Sequence, residues 1–471
     1  MLQNFTQFNG AFGCSWCHIS GKRIPSGKTT VNVYPYHERL LLRTKENVEF
    51  HANKATEADV IYMGVKGYSI LSTLPSLDIA FGMVFDAMHC FDMGVFKQLG
   101  SLWFDSSFHD KPWYIGTPKI IAAIDLALLE IIPPSNIVRI AQSLNQKVLW
   151  KSSEWRSFFV FYAPYILKYL MKAKYYKHFC KVSQACFLLN QSFVSNEDIF
   201  EADRLLNEFV NEFQLLYGLR NMSFNLHQLL HCTDCVSRWG PLWVYSAYDF
   251  ENLNGKLLQM YNGTRFVDLQ IVKKFLKIQL LKSELVQHMD NSNFYSKFGK
   301  LIRRILGDGI PTKKIFRTDK CVFIGNGKPF TIDNETMHLL SDLDSNKLPF
   351  NPEAHRFKKG IIEKNIYSTS NYKPLSQKQN CYVKTRNGEI LKIIEMVGVE
   401  SYVNSGMMAI FIGIKFRHKE LFFKNKCRLI ELEPEGKRIA FYPTEIISKC
   451  VVLKSNCNFV LSVLPNLFER D

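Results

Sequence analysis

The chain has 471 residues, of which 47% are hydrophobic, and its formal net charge is +16. This length exceeds what one hydrophobic core usually organises, so we expect at least two domains. The sequence has no apolar run long enough to span a bilayer, and residues 1–14 lack the pattern of a signal peptide. We therefore expect a soluble, intracellular protein rather than a secreted or membrane-spanning one. The excess of Lys and Arg favours a polyanionic partner such as nucleic acid, or an anionic membrane surface, and ordinary solubility is the alternative explanation of the charge.

The cysteines indicate metal ligands or free thiols rather than disulfides. There are 12 of them, irregularly spaced and mixed with histidines, in a chain of average cysteine density. This usage is typical of proteins in a reducing compartment.

The N-terminal half divides into two predicted segments. Residues 1–75 are rich in turn residues, as in "SGKRIPSGKTT", and show no sustained periodicity, so we expect a loop-rich segment that a metal staple orders. Residues 76–295 carry apolar residues at helical spacing, for example over 118–132 and 154–176. Ser195 and Asp198 form a near capping box that predicts the start of a further helix.

The C-terminal half also divides into two predicted segments. Residues 296–374 combine the basic stretch 297–320 with the Pro-containing stretch 346–360, and we predict a basic linker. Residues 375–471 contain short β-branched and aromatic runs between turn signals, among them Asn387-Gly388 and "PEGK" at 434–437. This pattern predicts a small β-barrel or sandwich domain.

A C-x-x-C motif near the start is the first candidate site. Cys14 and Cys17 are two thiolate donors, and His227 and His231 lie four residues apart, so a helix would project both imidazoles from one face. Two thiolates and two neutral imidazoles complete a tetrahedral Zn²⁺ shell. Bound there, the ion would tie the loop-rich start to a distant helix.

Three alternatives to this ligand set are open from the sequence. The histidine pair could be ordinary buried or surface residues. A second C-x-x-C, Cys232 and Cys235, adjoins the histidines and could supply the thiolates, and His18 or His37 could replace one imidazole.

Two acidic positions are further candidates. Asp86 and His89 are three residues apart, so the carboxylate could orient the imidazole or bind a metal, or it could simply complement a helix N-terminus. Glu251 stands in an apolar and aromatic stretch, where an acid is costly to bury unless it binds a cation, although a lone Glu at a helix start is ordinarily a capping carboxylate.

These motifs, taken together and in order, resemble the transposases of animal CACTA-type cut-and-paste DNA transposons. The likeness covers nearly the whole chain and extends to these strings: "GVKG" (64–67), "WYIGTP" (113–118), "IIPPSNIVR" (131–139), "WKSSEWRSFFVFY" (150–162) and "GPLWVYSAYDFENLNGKLL" (240–258). Each string is weak, and the ordered set is specific.

The resemblance implies an RNase H-like catalytic core in which two Asp and one Glu hold two Mg²⁺ ions for DNA strand cleavage and transfer. It assigns Glu251 to the third acid, Cys14, Cys17, His227 and His231 to the zinc-type motif, and Asp86 with His89 to a D-x-x-H motif. In the family both catalytic Asp residues precede the C-x-x-C. Residues 1–13 of this chain contain no Asp or Glu, so we expect Mg²⁺ chemistry only if the missing acids are supplied.

The resulting expectation is an α+β chain: a mostly helical transposase-core remnant, an incomplete RNase H-like fold with a helical insertion, followed by a β-rich domain. We expect a nuclear protein with structural Zn²⁺ that binds DNA through its basic surface, including 297–320 and 355–360, without cutting it. The alternatives are a protein-interaction or self-association module without DNA binding, and a fragment of an active metal-dependent transposase.

Overall fold

The computed structural model describes residues 2–140, 142–287, 315–318, 320–343, 350–372, 378–401, 407–422, 429–454 and 459–468. The chain forms two compact units. Unit 1 contains Met1–Leu129 and Arg139–Ala247, and unit 2 contains Glu130–Val138 and Tyr248–Asp471. The predicted four-part division stays a prediction.

In the residues that the structure describes, the regular elements of unit 1 are helices and one short hairpin. Its elements are β1 (Lys22–Ser26), β2 (Thr29–Val33), α1 (Lys45–Ala58), α2 (Lys97–Phe104), α3 (Pro118–Leu129), α4 (Ser152–Arg156), α5 (Ala163–Ile166), α6 (Ala173–Leu189), α7 (Asn196–Tyr217), α8 (Phe224–Gln228), α9 (Cys232–Trp239) and the start of α10 (Ala247–Leu258). Two π-helical turns, Met88–Phe96 and Ser157–Tyr162, interrupt the predicted regular period.

Helix α1 lies inside the segment predicted to be rich in loops. Thr44 caps it with a capping box, since its hydroxyl accepts a hydrogen bond from the Asn47 amide and the Asn47 side chain accepts one from the Thr44 amide. Each bond satisfies a donor that the first turn of a helix leaves unpaired. The segment predicted to be rich in loops therefore contains one regular helix, Lys45–Ala58.

Helix α7 confirms the capping box predicted at its start. The Ser195 hydroxyl accepts from the Asp198 amide, and the Asp198 carboxylate accepts from the Ser195 amide. Aromatic side chains fill the interior beside this helix. Phe159 stacks on Phe96 with ring centroids 5.0 Å apart, and the Trp103 indole N–H donates to the Tyr217 hydroxyl at 3.1 Å.

Unit 2 is dominated by antiparallel sheets. Its further elements are β3 (Ile131–Ile132), α11 (Val267–Gln287), β4 (Ile315–Arg317), β5 (Val322–Ile324), β6 (Lys328–Thr331), α12 (Asn334–Leu343), β7 (Phe350–Phe357), β8 (Lys359–Ile362), β9 (Asn365–Ser368), β10 (Tyr382–Thr385), β11 (Ile390–Ser401), β12 (Met407–Phe422), β13 (Leu429–Phe441), β14 (Ile446–Lys454) and β15 (Phe459–Val463).

The larger sheet has the strand order β10-β14-β15-β13-β12-β11-β7-β6, with β3 pairing to β14 and β10 pairing also to β11. The smaller sheet has the order β4-β5-β8-β9. Successive residues of β12 point to opposite faces, as strand geometry requires. Phe411 packs in a cluster with Phe323 and Leu391, whereas Ile410 packs with Val397 and with Leu340 of α12.

The hairpin predicted at Asn387-Gly388 is confirmed. It joins β10 to β11, which pair antiparallel, and Gly388 has φ +77°, a conformation that favours glycine. The turn predicted at 434–437 is wrong, because β13 runs through it. The register against β12 shifts there between Phe416 and His418, so the extra residues form a bulge.

The predicted linker, 296–374, contains strands β4–β9 and helix α12 within its described residues. The basic residues 297–314 lie outside the described residues.

The α+β class is confirmed by the helical unit 1 and the antiparallel sheets of unit 2. The assignment of the C-terminal sheets to a barrel or sandwich stays a prediction. Searched over the described residues, the structure contains no helix that is long and apolar enough to cross a membrane.

Candidate metal centre

The C-x-x-C turn is held against the strand-like segment that follows β2. The His18 amide donates to the Leu41 carbonyl at 2.9 Å, and the Arg43 amide donates to the Trp16 carbonyl at 2.8 Å. Trp16 is buried between these bonds and packs edge-on against Phe81 with ring centroids 5.2 Å apart. The backbone that carries both cysteines is therefore fixed from two sides.

The Arg43 side chain closes the turn from inside the protein. Its Nε donates to the Cys14 carbonyl at 3.1 Å and to the Cys17 carbonyl at 3.0 Å, and one terminal nitrogen donates to the Met63 carbonyl at 2.8 Å. Arg43 is fully buried, and its guanidinium lies 4.9 Å from the centre of the Phe5 ring. A buried cation with these bonds stabilises one backbone conformation at the cysteines.

The two histidines come from α8 and the turn after it. Ser223 caps α8 by accepting a hydrogen bond from the Leu226 amide, which fixes where the helix begins. His227 lies in α8, and His231 ends a single 3₁₀ turn, so the two imidazoles project to the same side. The Tyr34 ring stacks on His227 at 5.6 Å.

The structure brings Cys14, Cys17, His227 and His231 together, although the cysteines and histidines are more than two hundred residues apart in sequence. Their ligand atoms all lie within 4.8 Å of one another, and all four residues are buried. In the described part of the chain, no other three or more Cys, His, Asp or Glu residues are grouped in this way.

The interatomic distances fit a tetrahedral ion of zinc's size. Cys14 Sγ lies 3.5 Å from His231 Nε2, Cys17 Sγ lies 3.4 Å from His227 Nε2, and the two Nε2 atoms are 3.3 Å apart. In a zinc tetrahedron, Zn–S bonds are about 2.3 Å long and Zn–N bonds about 2.0–2.1 Å. These bond lengths place sulfur and nitrogen ligands about 3.5 Å apart and two nitrogen ligands about 3.3 Å apart. The group could therefore hold a metal such as zinc.

The neighbours of the two thiols shift their pKa values in opposite directions. Burial raises the pKa of Cys14, but hydrogen bonds with Cys17, His227 and His231 outweigh it and hold this pKa well below the usual value. The hydrogen bond with Cys14, together with burial, raises the pKa of Cys17. Burial lowers the pKa of His227, which keeps the imidazole neutral and able to donate its lone pair to a metal.

The alternative ligands predicted from the sequence lie outside this group. His18 packs edge-on against His51 at 5.4 Å, and burial lowers its pKa to about 4. Cys232 is buried and directs its thiol to the Gln228 carbonyl, and burial raises the pKa of Cys235 to about 11. His37 is also outside the group.

Asp86 caps two helices. Its carboxylate accepts hydrogen bonds from the amides of Met88 and His89 at the start of the π-helical turn, and from the amide of Ala247, the first residue of α10. It also pairs with the His89 imidazole, whose side chain is 63% exposed. These bonds agree with the capping alternative, in which the carboxylate complements helix N-termini.

Glu251 lies exposed on α10, the helix that begins at Ala247. The first amide of this helix, at Ala247, donates a hydrogen bond to the Asp86 carboxylate. Within 355–360, predicted to contact phosphates, the Arg356 guanidinium pairs with Glu395 at 2.8 Å.

Sequence reasoning missed Arg43, which the structure places at the centre of the cysteine turn. Its only signal is an arginine in a strand-like stretch, "RLLLR", and such residues are ordinarily exposed.

Comparisons of the chain with protein-family models, with curated proteins and with solved structures found no match.

Proposed function

We propose that the chain is a transposase-derived, nuclear DNA-binding protein whose unit 1 is held together by one structural zinc ion. The observation that carries this proposal is the buried Cys14, Cys17, His227 and His231 group, whose atom separations match a zinc tetrahedron. The same two motifs, in the same order, support the resemblance to CACTA-type transposases. On this proposal unit 1 is a remnant of an RNase H-like core.

The zinc ion would link residues that precede β1 to the helices that follow α7. All four ligands are buried, so no coordination position faces solvent, as is usual for structural rather than catalytic zinc sites. Binding free energy released on coordination would then order the N-terminal segment. We assign no Mg²⁺ site, because Asp86 is engaged in capping bonds.

The charge of the protein supports DNA as the partner. A net charge of +16 creates a positive potential that attracts phosphates and releases their counterions on binding. Anisotropy of a labelled DNA duplex, titrated with the zinc-loaded protein at several salt concentrations, tests this. We expect affinity to fall steeply as salt rises, and absence of binding at low salt would contradict DNA binding.

Self-association is a second candidate, favoured by one observation. Helix α11 exposes apolar side chains at helical spacing, with Leu269, Val272, Leu276 and Leu280 each about half or more exposed. Such a stripe is typical of a helix that packs on another helix. Light scattering of the wild type and of Leu276→Asp tests this, and a monomer in both samples would exclude it.

A further inference from the structure

The hairpin formed by β1 and β2 is an exposed feature of unit 1. Lys22 pairs with Val33 and Ser26 with Thr29, and Gly27 turns the chain with φ +60°. The Thr29 hydroxyl donates to the Ser26 carbonyl and closes the turn. The hairpin is a separate two-stranded sheet.

The exposed residues of this hairpin are basic and polar. Lys22, Arg23 and Lys28 are all exposed, and the stretch from Lys22 to Val33 contains no acidic residue. Within the described residues, none of the three cations has an ion pair. Their charges are therefore available to a ligand at little cost in lost contacts.

Hydrogen bonds to residues 8–11 fix the end of the hairpin that is opposite its turn. An isolated two-stranded ribbon in water lacks such support and is only marginally stable. The Asn32 amide group donates to the carbonyls of Phe8 and Gly10, and the Gly21 amide donates to the Ala11 carbonyl. The same loop continues into Cys14 and Cys17 of the metal centre. The ribbon is therefore held at a defined angle by the stapled segment.

We propose that the β1–β2 hairpin is a DNA-contacting element that lies in a groove of duplex DNA. The major groove admits a two-stranded ribbon. Lys22 and Arg23 are adjacent in β1 and therefore point to opposite faces, and Lys28 stands at the turn. Cations on both faces suit a groove with a phosphate backbone along each side. This inference rests on the DNA binding proposed above and assigns its place.

The experiment compares two variants that remove the same number of charges. In the first, Lys22, Arg23 and Lys28 are all changed to Gln; in the control, Lys172, Lys174 and Lys177, exposed on or beside α6 of the same unit, are changed to Gln. Both are titrated with a short labelled duplex of arbitrary sequence over a range of salt. Unchanged zinc content and unchanged thermal unfolding show that each variant is folded.

We expect the hairpin variant to lose on the order of 100-fold in affinity at about 0.15 M salt, and its salt slope to fall by about 2.7, since each phosphate contact contributes about 0.9 to the slope. Lys28→Gln alone is expected to lose about 5-fold. The control variant should bind as the wild type does.

The outcomes separate the two proposals. If the wild type binds DNA and the hairpin variant binds equally well, the hairpin assignment is wrong while DNA binding stands. If the wild type does not bind DNA at low salt, both fail. If polyglutamate displaces the duplex from the hairpin as effectively as unlabelled DNA does, the partner is an acidic protein and the assignment to DNA is overturned.

Discussion

Replacing Arg43 with methionine should weaken metal binding by about 100-fold. The change removes the donors to the carbonyls of Cys14, Cys17 and Met63 but keeps an apolar stem of similar length. Hydrogen bonds from a charged donor contribute about 1.5–3 kcal/mol each. Relief of the desolvation cost of the buried guanidinium, several kcal/mol, offsets part of that loss. The net loss of free energy that remains, about 3 kcal/mol, corresponds to a dissociation constant for the metal that is about 100-fold higher.

Competition for Zn²⁺ with a chromophoric chelator measures this change. Arg39→Met is the matched control, because Arg39 is exposed and precedes the same segment. Arg43→Lys should fall between the two, since one ammonium cannot reproduce the planar fork. Equal zinc affinity in Arg43→Met and Arg39→Met would refute the view that Arg43 fixes the cysteine turn.

Two further predictions concern the stability of unit 1. Burial lowers the pKa of His178 to about 3, so below the unfolded-state pKa of about 6.5 the unfolded state binds more protons, and the free energy of unfolding falls by about 2 kcal/mol at pH 5. Denaturant unfolding at pH 7 and at pH 5 should show this loss in the wild type and a smaller loss in His178→Gln. Equal losses in the two proteins would contradict the prediction. Gly64→Ala should lower the free energy of unfolding by roughly 3 kcal/mol or more, because φ is +89° and the new Cβ would lie 2.2 Å from the Phe12 carbonyl oxygen. Gly27→Ala, with φ +60° and open space, should cost only about 1 kcal/mol in the same denaturant unfolding at pH 7. Similar losses in the two variants would argue against the close approach at Gly64.

The four residues of the candidate metal centre could be predicted because short sequence spacings bring their donor atoms together. Cys14 and Cys17 form a recognisable donor pair, and His227 and His231 share one side of a helical turn whatever surrounds them. Arg43 could not be predicted, because its partners are backbone carbonyls, which no side-chain pattern reveals.

Local sequence signals predicted some helix starts and turns, but they missed one helix and one long-range strand pairing. The Ser195 capping box and the Asn387-Gly388 turn were each sufficient, since a few adjacent residues determine them. The capping box at Thr44 uses Asn in place of the usual Glu or Gln, so α1 was missed. Strand β3 pairs with β14 across more than three hundred residues, and no local pattern predicts such a contact.

Metal analysis of the purified protein tests the central claim most directly. The account predicts one zinc ion per chain, and a Co²⁺-substituted protein whose absorption spectrum shows a tetrahedral site with thiolate ligands. Cys17→Ser together with His231→Ala should abolish both signals, whereas Cys235→Ser, a buried thiol outside the group, should keep them. A zinc content near zero in protein purified without chelator, or an octahedral Co²⁺ spectrum, would contradict the account.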